Sequence, residues 1–258
     1  MAALHKVGQQ TLTDQELINK FGIKSTDKIL DIGGSAKQHD LLPIDTLVDL
    51  LQPEDDPYNR SYLKAKYFIK CDITKEKLPF KDNQFEFVLC THTLEDIYNP
   101  FLVIEEMSRV AKRGYIAAPS RGKDSEFSHL DLTDWLTGPR RQPGYAHHKW
   151  FFELKNDLMQ ISVKHYPLLY TAEFMIGKWR GGDEFQYYWE DFIKYEFLDS
   201  TDMHTLIENY RQFMKENKKW IKKSWVLIYI DNPYYFIKEL AKMMLKRGMG
   251  YKKQKSWH

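Results

Sequence analysis

Lys28-Ile29-Leu30-Asp31-Ile32-Gly33-Gly34 is a short apolar run that carries one acid and breaks on two glycines. An apolar run of this length, stopped by turn formers, predicts a buried strand. The same form recurs downstream. Thr46-Leu47-Val48-Asp49-Leu50 and Tyr67-Phe68-Ile69-Lys70-Cys71-Asp72 both end on an acid, Phe85-Glu86-Phe87-Val88-Leu89-Cys90 runs into Thr91-His92, and Gly114-Tyr115-Ile116-Ala117-Ala118-Pro119 is stopped by its proline. Ahead of the first strand, Thr13 and Glu16 have the spacing of a capping box for a helix that stops at Gly22. Asn99-Pro100 opens a helix through about Lys112, with proline at its favoured first position and Phe101, Ile104, Met107, Ser108 and Ala111 on one face. Strands alternating with helical or loop connections predict an α/β fold, a doubly wound, Rossmann-like and mostly parallel sheet.

Composition narrows the class. With 43% apolar residues the chain has enough for a core, and its 29% charged share excludes a membrane bundle. A net charge of +2 predicts no nucleic-acid partner. Cys71 and Cys90 are the only cysteines, too few for a disulfide framework, and are expected as buried free thiols. Met1 to Gln10 holds no apolar signal core, and the apolar run Trp225 to Ile230 is too short to span a bilayer. The expected location is cytoplasmic, with the oligomeric state unread.

Beyond Ser120 the pattern changes. Arg121 to Gly144 is polar, contains Pro139 and Pro143, and reads as a long excursion over the carboxyl edge of the sheet; residues 121–148 are expected either to act as a lid over an acceptor or to form a fixed surface loop. Lys149 to Leu154 and Leu158 to Lys164 read as a hairpin about Lys155-Asn156-Asp157. Trp179, Phe185, Tyr187, Tyr188 and Trp189 crowd around Gly181-Gly182, either as core or as pocket wall. Helices are expected from about Asp202 to Lys219 and from Pro233 to Arg247. In the second, Ile237, Leu240, Ala241 and Met244 would dock, and Lys238, Lys242 and Lys246 would face water. The same basic amphipathic pattern, over 233–247, also fits contact with a membrane surface. The expected organisation is a domain over 1–170 and an aromatic-rich, mainly helical extension over 171–258.

In a doubly wound sheet, ligands bind outside the carboxyl ends of the strands. Four such ends carry suggestive residues. Asp31, Gly33 and Gly34 close the first strand, where glycine lets the backbone approach a ligand. Asp49, with Leu50 beside it, closes the second and can accept both hydroxyls of a ribose, or serve as a solvated strand end. Asp72, between Cys71 and Ile73, can accept from an adenine amino group, or cap the turn at Thr74-Lys75. Thr91 and His92 close the fourth, where a substrate would enter.

Lys28 to Pro119 resembles the class I S-adenosylmethionine-dependent methyltransferases, especially the "type 11" group acting on small molecules. The resemblance rests on Cys71-Asp72-Ile73, Leu78-Pro79-Phe80, Phe85-Glu86-Phe87-Val88, Thr91-His92-Thr93-Leu94-Glu95-Asp96, Asn99-Pro100, Glu105-Glu106, Ser108-Arg109-Val110 and Arg113-Gly114. Residues 145–164 also resemble the C-terminal hairpin of some members. Three positions depart from the pattern: Ser35-Ala36-Lys37 where a further glycine or acid is usual, Glu86 where aspartate is usual, and Asp96 where histidine is usual. The resemblance implies S-adenosylmethionine as cofactor. Gly33 and Gly34 would lie against its methionine part, Asp49 would hold the ribose, Asp72 and Ile73 would frame the adenine, and Thr91 and His92 would face the sulfonium.

The leaving group of such a reaction is already activated, so the protein must align an acceptor and, for an oxygen or protonated nitrogen, supply a base. The candidates are His92, Asp96, His147 and His148. No metal site is expected, since adjacent histidines on a strand point to opposite faces and no Cys/His/acid spacing fits zinc. Two functions follow: a methyltransferase acting on an oxygen or nitrogen of a small molecule such as a sugar, lipid or other metabolite, or a catalytically inactive binding or scaffold protein of the same fold.

Overall fold

The computed structural model describes residues 6–8, 10–56, 62–127, 142–198, 201–225, 228–229 and 232–250. The chain divides into two compact units whose segments alternate along the sequence: Met1–Asp124 with His147–Lys164 and Gly181–Thr201, and Ser125–Ala146 with His165–Arg180 and Asp202–His258.

The first unit is built on a seven-stranded sheet. In chain order its elements are β1 (Lys6–Gly8), α1 (Asp14–Phe21), β2 (Ile29–Ile32), β3 (Ile44–Asp49), β4 (Tyr67–Lys70), β5 (Phe87–Thr91), α2 (Pro100–Val110), β6 (Arg113–Pro119), the single turn α3 (Arg121–Asp124), β7 (Trp150–Lys155) and β8 (Leu158–Val163). The second unit then contributes α4 (Tyr166–Leu169) and β9 (Lys178–Trp179), and the first resumes with β10 (Glu184–Glu190) and β11 (Tyr195–Leu198). The sheet order is β1-β10-β6-β5-β2-β3-β4. Strands β2 to β6 pair in parallel, and β10 and β1 close one edge antiparallel. The doubly wound, mostly parallel sheet expected from the sequence is therefore present, with an antiparallel edge that the sequence did not announce.

Alternation along the strands sorts side chains onto two faces. Phe87 and Leu89 of β5 pack with Leu17 and Phe21 of α1, while Val88 and Cys90 pack with Val103, Ile104, Met107 and Val110 of α2. Helix α1 starts at the predicted capping box, with Glu16 N donating to Thr13 Oγ1 and Thr13 N to the Glu16 carboxylate, and Gly22 ends it in the left-handed conformation. Helix α2 starts at Asn99, which accepts the amide of Leu102. Of the expected face, Ile104, Met107 and Ala111 join the core and Phe101 packs against it beside Trp150 and Phe197, while Val103 and Val110 are buried as well and Ser108 Oγ donates to Ile104 O and accepts from Ile193 N.

The residues of the family resemblance have structural work of their own. The Arg109 guanidinium donates to the carboxylates of Glu106 and Asp82 and to the carbonyls of Phe80 and Leu78, while Glu106 also accepts the amide of Leu78. This hub fixes the Leu78-Pro79-Phe80 loop that delivers the chain into β5. Glu86 accepts the amide of Lys28 at 2.7 Å, a reach that fits its longer side chain at a position where aspartate is usual.

The aromatic segment near Gly181-Gly182 is largely strand β10. Phe185, Tyr187 and Trp189 belong to the α2-side core, and Tyr188 stacks on Phe21 at 4.5 Å across the other face. The hairpin β7–β8 turns on Asn156 and Asp157 with φ of 52° and 61°, the signature of a type I′ turn, and joins β11 in a separate three-stranded sheet. Cys71 and Cys90 are buried free thiols. The expected polar excursion after Ser120 begins instead with the buried turn α3; residues 128–141 of the proposed lid lie outside the described residues.

In the second unit, β9 pairs with β12 (Ile221–Lys222), and α5 (Met203–Glu216) begins at the Asp202 cap. Helix α6 (Pro233–Gly250) exists, but its expected docking face does not. Tyr235 and Phe236 pack on Phe127, Ala172, Met175 and Ile228, whereas Ile237 and Met244 are exposed. Among the described residues, no helix is long and apolar enough to cross a membrane.

Candidate functional site

The parallel strand ends bring the predicted residues to one edge of the sheet. Leaving β2, the chain turns at Gly33 with φ of +76°, where a side chain would also run into Thr93. Gly34 lies against the Asp31 carboxylate, 2.0 Å from where its own Cβ would stand. Asp31 itself is buried, and its Oδ1 accepts no hydrogen bond among the described residues. Burial pushes its carboxyl up to about 6, with Asp49 and Asp14 adding to the effect and His39 opposing it.

Asp49 ties the glycine turn to β3. Its Oδ2 accepts the amide of Ser35 at 3.0 Å and its Oδ1 the amide of Leu50 at 2.7 Å. Ser35 is buried and also donates from Oγ to Leu51 O at 2.7 Å, a bond that a third glycine could not make. Asp72, just past β4, accepts from Thr74 N and Oγ1 and from Lys75 Nζ. The Lys75 and Thr74 bonds pull its carboxyl down to about 2. It therefore caps the Thr74-Lys75 turn, and Cys71 and Ile73 on either side are buried.

Thr91 ends β5, and His92 follows in the left-handed region with φ of 52°, a conformation that costs a non-glycine residue of order 1 kcal/mol. Three side chains surround its ring. Thr11 Oγ1 lies 3.0 Å from Nε2, Glu184 Oε2 3.4 Å from Nε2, and Glu95 Oε1 3.5 Å from Nδ1. Burial works against its charged form, but the bond to Glu95 and the charges of Glu184 and Glu95 outweigh it and raise its pKa. Thr11, Glu95 and Glu184 were not among the sequence candidates. Thr11 and Glu184 reach the site from the N-terminal segment and the antiparallel edge strand, and nothing in local spacing marks them. A cavity of about 370 Å3 opens beside His92 and Thr91 and is lined further by Thr11, Asp14, Lys37 and His39. It lies where the chain leaves β2 and β5, the switch point of the sheet, at which doubly wound folds bind ligands.

Asp96, His147 and His148 form a second group. His147 and His148 sit in and just after a turn ahead of β7, not on a strand, so the expectation that they point apart fails. Both rings approach Asp96, with Nε2 to Oδ1 distances of 3.6 Å and 3.5 Å. Burial and the Glu95 charge hold the Asp96 carboxyl above its ordinary range, against the pull of His148, His147 and Lys149.

Five parallel strands with an antiparallel neighbour at one edge, acids and glycines at their carboxyl ends, and a cavity at the switch point define a ligand-binding α/β domain of the class I methyltransferase type. Residues 35–118 match a family model described as a methyltransferase domain. That stretch, about a third of the chain, is what is similar to the methyltransferase domain family. A 53-residue stretch is 53% identical to an uncharacterised protein of Methanocaldococcus jannaschii, covering 20% of this chain and 26% of that protein. The chain thus matches about a quarter of the length of this curated relative. Among solved structures, a methyltransferase of Methanosarcina mazei is 16% identical with a TM-score of 0.39, covering 71% of this chain and 100% of its own. One of Thermotoga maritima is 20% identical with a TM-score of 0.32, covering 43% and 52%.

Proposed function

We propose that the protein is a methyltransferase that binds S-adenosylmethionine across the carboxyl ends of β2 to β5 and methylates an oxygen or nitrogen of a small molecule. The observation that carries this reading is Asp31: a buried carboxylate with an unpartnered oxygen, beside the glycine turn, calls for a cation. The cofactor's α-ammonium and sulfonium are cationic groups, so the residues present fit it. When bound, the cofactor supplies an activated methyl group whose departure needs no protein nucleophile.

The chain's own residues then bind, orient and move a proton. Gly33 and Gly34 let the chain turn tightly against Thr93 and Asp31 at the cofactor edge, and Asp49 keeps lone pairs for two ribose hydroxyls while holding Ser35 and Leu50. On this reading Leu50, beside Asp49, and Cys71 and Ile73, on either side of Asp72, would border the cofactor. Asp72 keeps acceptor capacity beyond its bonds to Thr74 and Lys75, and Thr91 stands at the acceptor side. His92 is the base we favour. It is half-exposed, borders the cavity and has two carboxylates to steady the charge it would gain. Asp96 and His148, further along the same edge, are the other candidates.

A second reading, an inactive binding protein of the same fold, draws support from Asp72, whose oxygens already serve its own turn. Calorimetry with S-adenosylmethionine, followed by transfer of its labelled methyl group into a small-molecule extract, decides between them. Absence of binding at millimolar cofactor overturns the first reading, and binding without transfer favours the second.

A further inference from the structure

We propose that Asp96, His147 and His148 form a binding site for a divalent transition-metal ion of zinc type, with at least one coordination position left open.

The geometry supports this in three ways. First, one ligand atom from each residue lies within 4.8 Å of the other two. The oxygen-to-nitrogen separations of 3.5 Å and 3.6 Å are long for hydrogen bonds. They are close to the spacing of about 3.3 Å that bonds of 2.0–2.1 Å impose around a tetrahedral ion. Asp96 Oδ1, the atom that faces both rings, is buried and accepts no hydrogen bond among the described residues.

Second, the outer partners suit a metal. His148 turns Nε2 to Asp96 and Nδ1 to Asp124, whose Oδ1 is 3.0 Å away. A carboxylate this close to the far nitrogen is the usual outer partner of a metal-binding histidine. Asp124 is itself buried and neutralised by the buried Lys164 at 2.8 Å, so it is held in place as the orienting group.

Third, the two segments that supply the ligands are tied together. Lys149 N donates to Glu95 O at 2.6 Å, Trp150 Nε1 donates to Ile97 O at 2.8 Å, and the Lys149 ammonium donates to the carbonyls of both Asp96 and His147. The ligands are thus positioned by bonds other than those an ion would supply. The exposed side of His147 leaves a path in from solvent. Two imidazoles and one carboxylate suit zinc, iron(II) or cobalt(II) and are a poor match for calcium or magnesium. Three protein ligands leave a place for water or for an oxygen of a substrate.

The test needs neither cofactor nor acceptor. The full-length protein, stripped with a chelator, is titrated with Zn2+ by calorimetry and with Co2+ by visible absorption. The expected result is one equivalent bound at micromolar metal, with the absorption of a low-symmetry nitrogen/oxygen site. His147→Ala, at an exposed position, and the nearly isosteric Asp96→Asn should keep the metal-free melting temperature and lose binding. Asp124→Asn should weaken it roughly 10–100-fold. Zn2+ should raise the melting temperature of the wild type and not of His147→Ala. Absence of micromolar binding in the wild type, or equal binding in His147→Ala and Asp96→Asn, overturns the proposal.

Discussion

Gly34 and the Asp31 carboxylate are in direct contact: a methyl group on Gly34 would lie 2.0 Å from Oδ2 and 2.5 Å from Cγ. Neither partner can yield easily, because Asp31 is buried within β2 and the next residue, Ser35, is pinned to Asp49. Gly34→Ala should therefore displace the turn, at a cost of about 1–3 kcal/mol from overpacking. It should also weaken S-adenosylmethionine at least tenfold. Melting temperature and calorimetry read the two effects, and unchanged cofactor affinity would remove the glycine turn from the site.

Asp31 gives a pH test. Its carboxyl titrates near 6 in the folded protein against 3.8 for an unperturbed aspartate, so the folded state holds the proton more tightly. Its contribution to stability is then fully present below about pH 4 and is lost as pH rises through 6. The loss amounts to about 3 kcal/mol at 1.36 kcal/mol per unit. Asp31→Asn removes the titration. Relative to wild type the variant should gain stability between pH 4 and pH 7, measured by denaturant unfolding across that range. A constant difference would show that Asp31 does not titrate there.

These two residues show how far the sequence could be read. An acid followed by two glycines at the end of an apolar run was visible, as were all five parallel strands, because each is a short, mainly apolar segment that ends on an acid, a turn former, a proline or, for β5, Thr91-His92. Strand β10 was hidden. Phe185, Tyr187 and Trp189 alternate correctly, but Tyr188 is equally apolar because its face meets Phe21, so no period of two survives. The surroundings of His92 were illegible for another reason: Thr11 and Glu184 meet it only once the edge strand is in place. The pairing of His147 and His148 was misread because both were placed on a strand that begins only at Trp150.

Asp49→Ala removes an acceptor that serves two backbone amides, and on the proposed function two ribose hydroxyls as well. Each bond to a charged acceptor contributes about 1.5–3 kcal/mol. The variant should lose stability and bind S-adenosylmethionine at least tenfold more weakly. Asp49→Asn, which keeps one acceptor oxygen, should recover part of each. If stability falls while the dissociation constant holds, Asp49 only organises the turn.

Asp72 separates its two candidate roles. Asn in its place keeps one oxygen for Thr74 but gives up the ion pair with Lys75. If the carboxylate also accepts from adenine, Asp72→Asn should weaken cofactor binding more than Lys75→Ala does, since the latter removes the pair and leaves the acceptor. Equal effects of the two variants would confine Asp72 to the turn.

His92 should titrate above the ordinary histidine value. Glu95 and Glu184 favour its protonated form, with Lys37 and burial opposing them. Because the protonated ring is the stabilised one, it persists to higher pH, and the neutral base becomes available only as pH rises through the raised pKa. The chain has nine histidines. The ring resonance must therefore be assigned by its loss in His92→Asn, after which its chemical shift is followed from pH 5 to pH 9. The midpoint is expected above 6.5 in the wild type. Glu184→Gln removes one of the two carboxylates without touching the strand pairing of β10, and should move the midpoint down. The same shift should appear in the acidic limb of a methyl-transfer rate once an acceptor is in hand, since that limb reports the base of the free enzyme. A midpoint below 6.5, or one indifferent to Glu184→Gln, would mean that the carboxylates do not act on the ring, and His92 would lose its claim as the base.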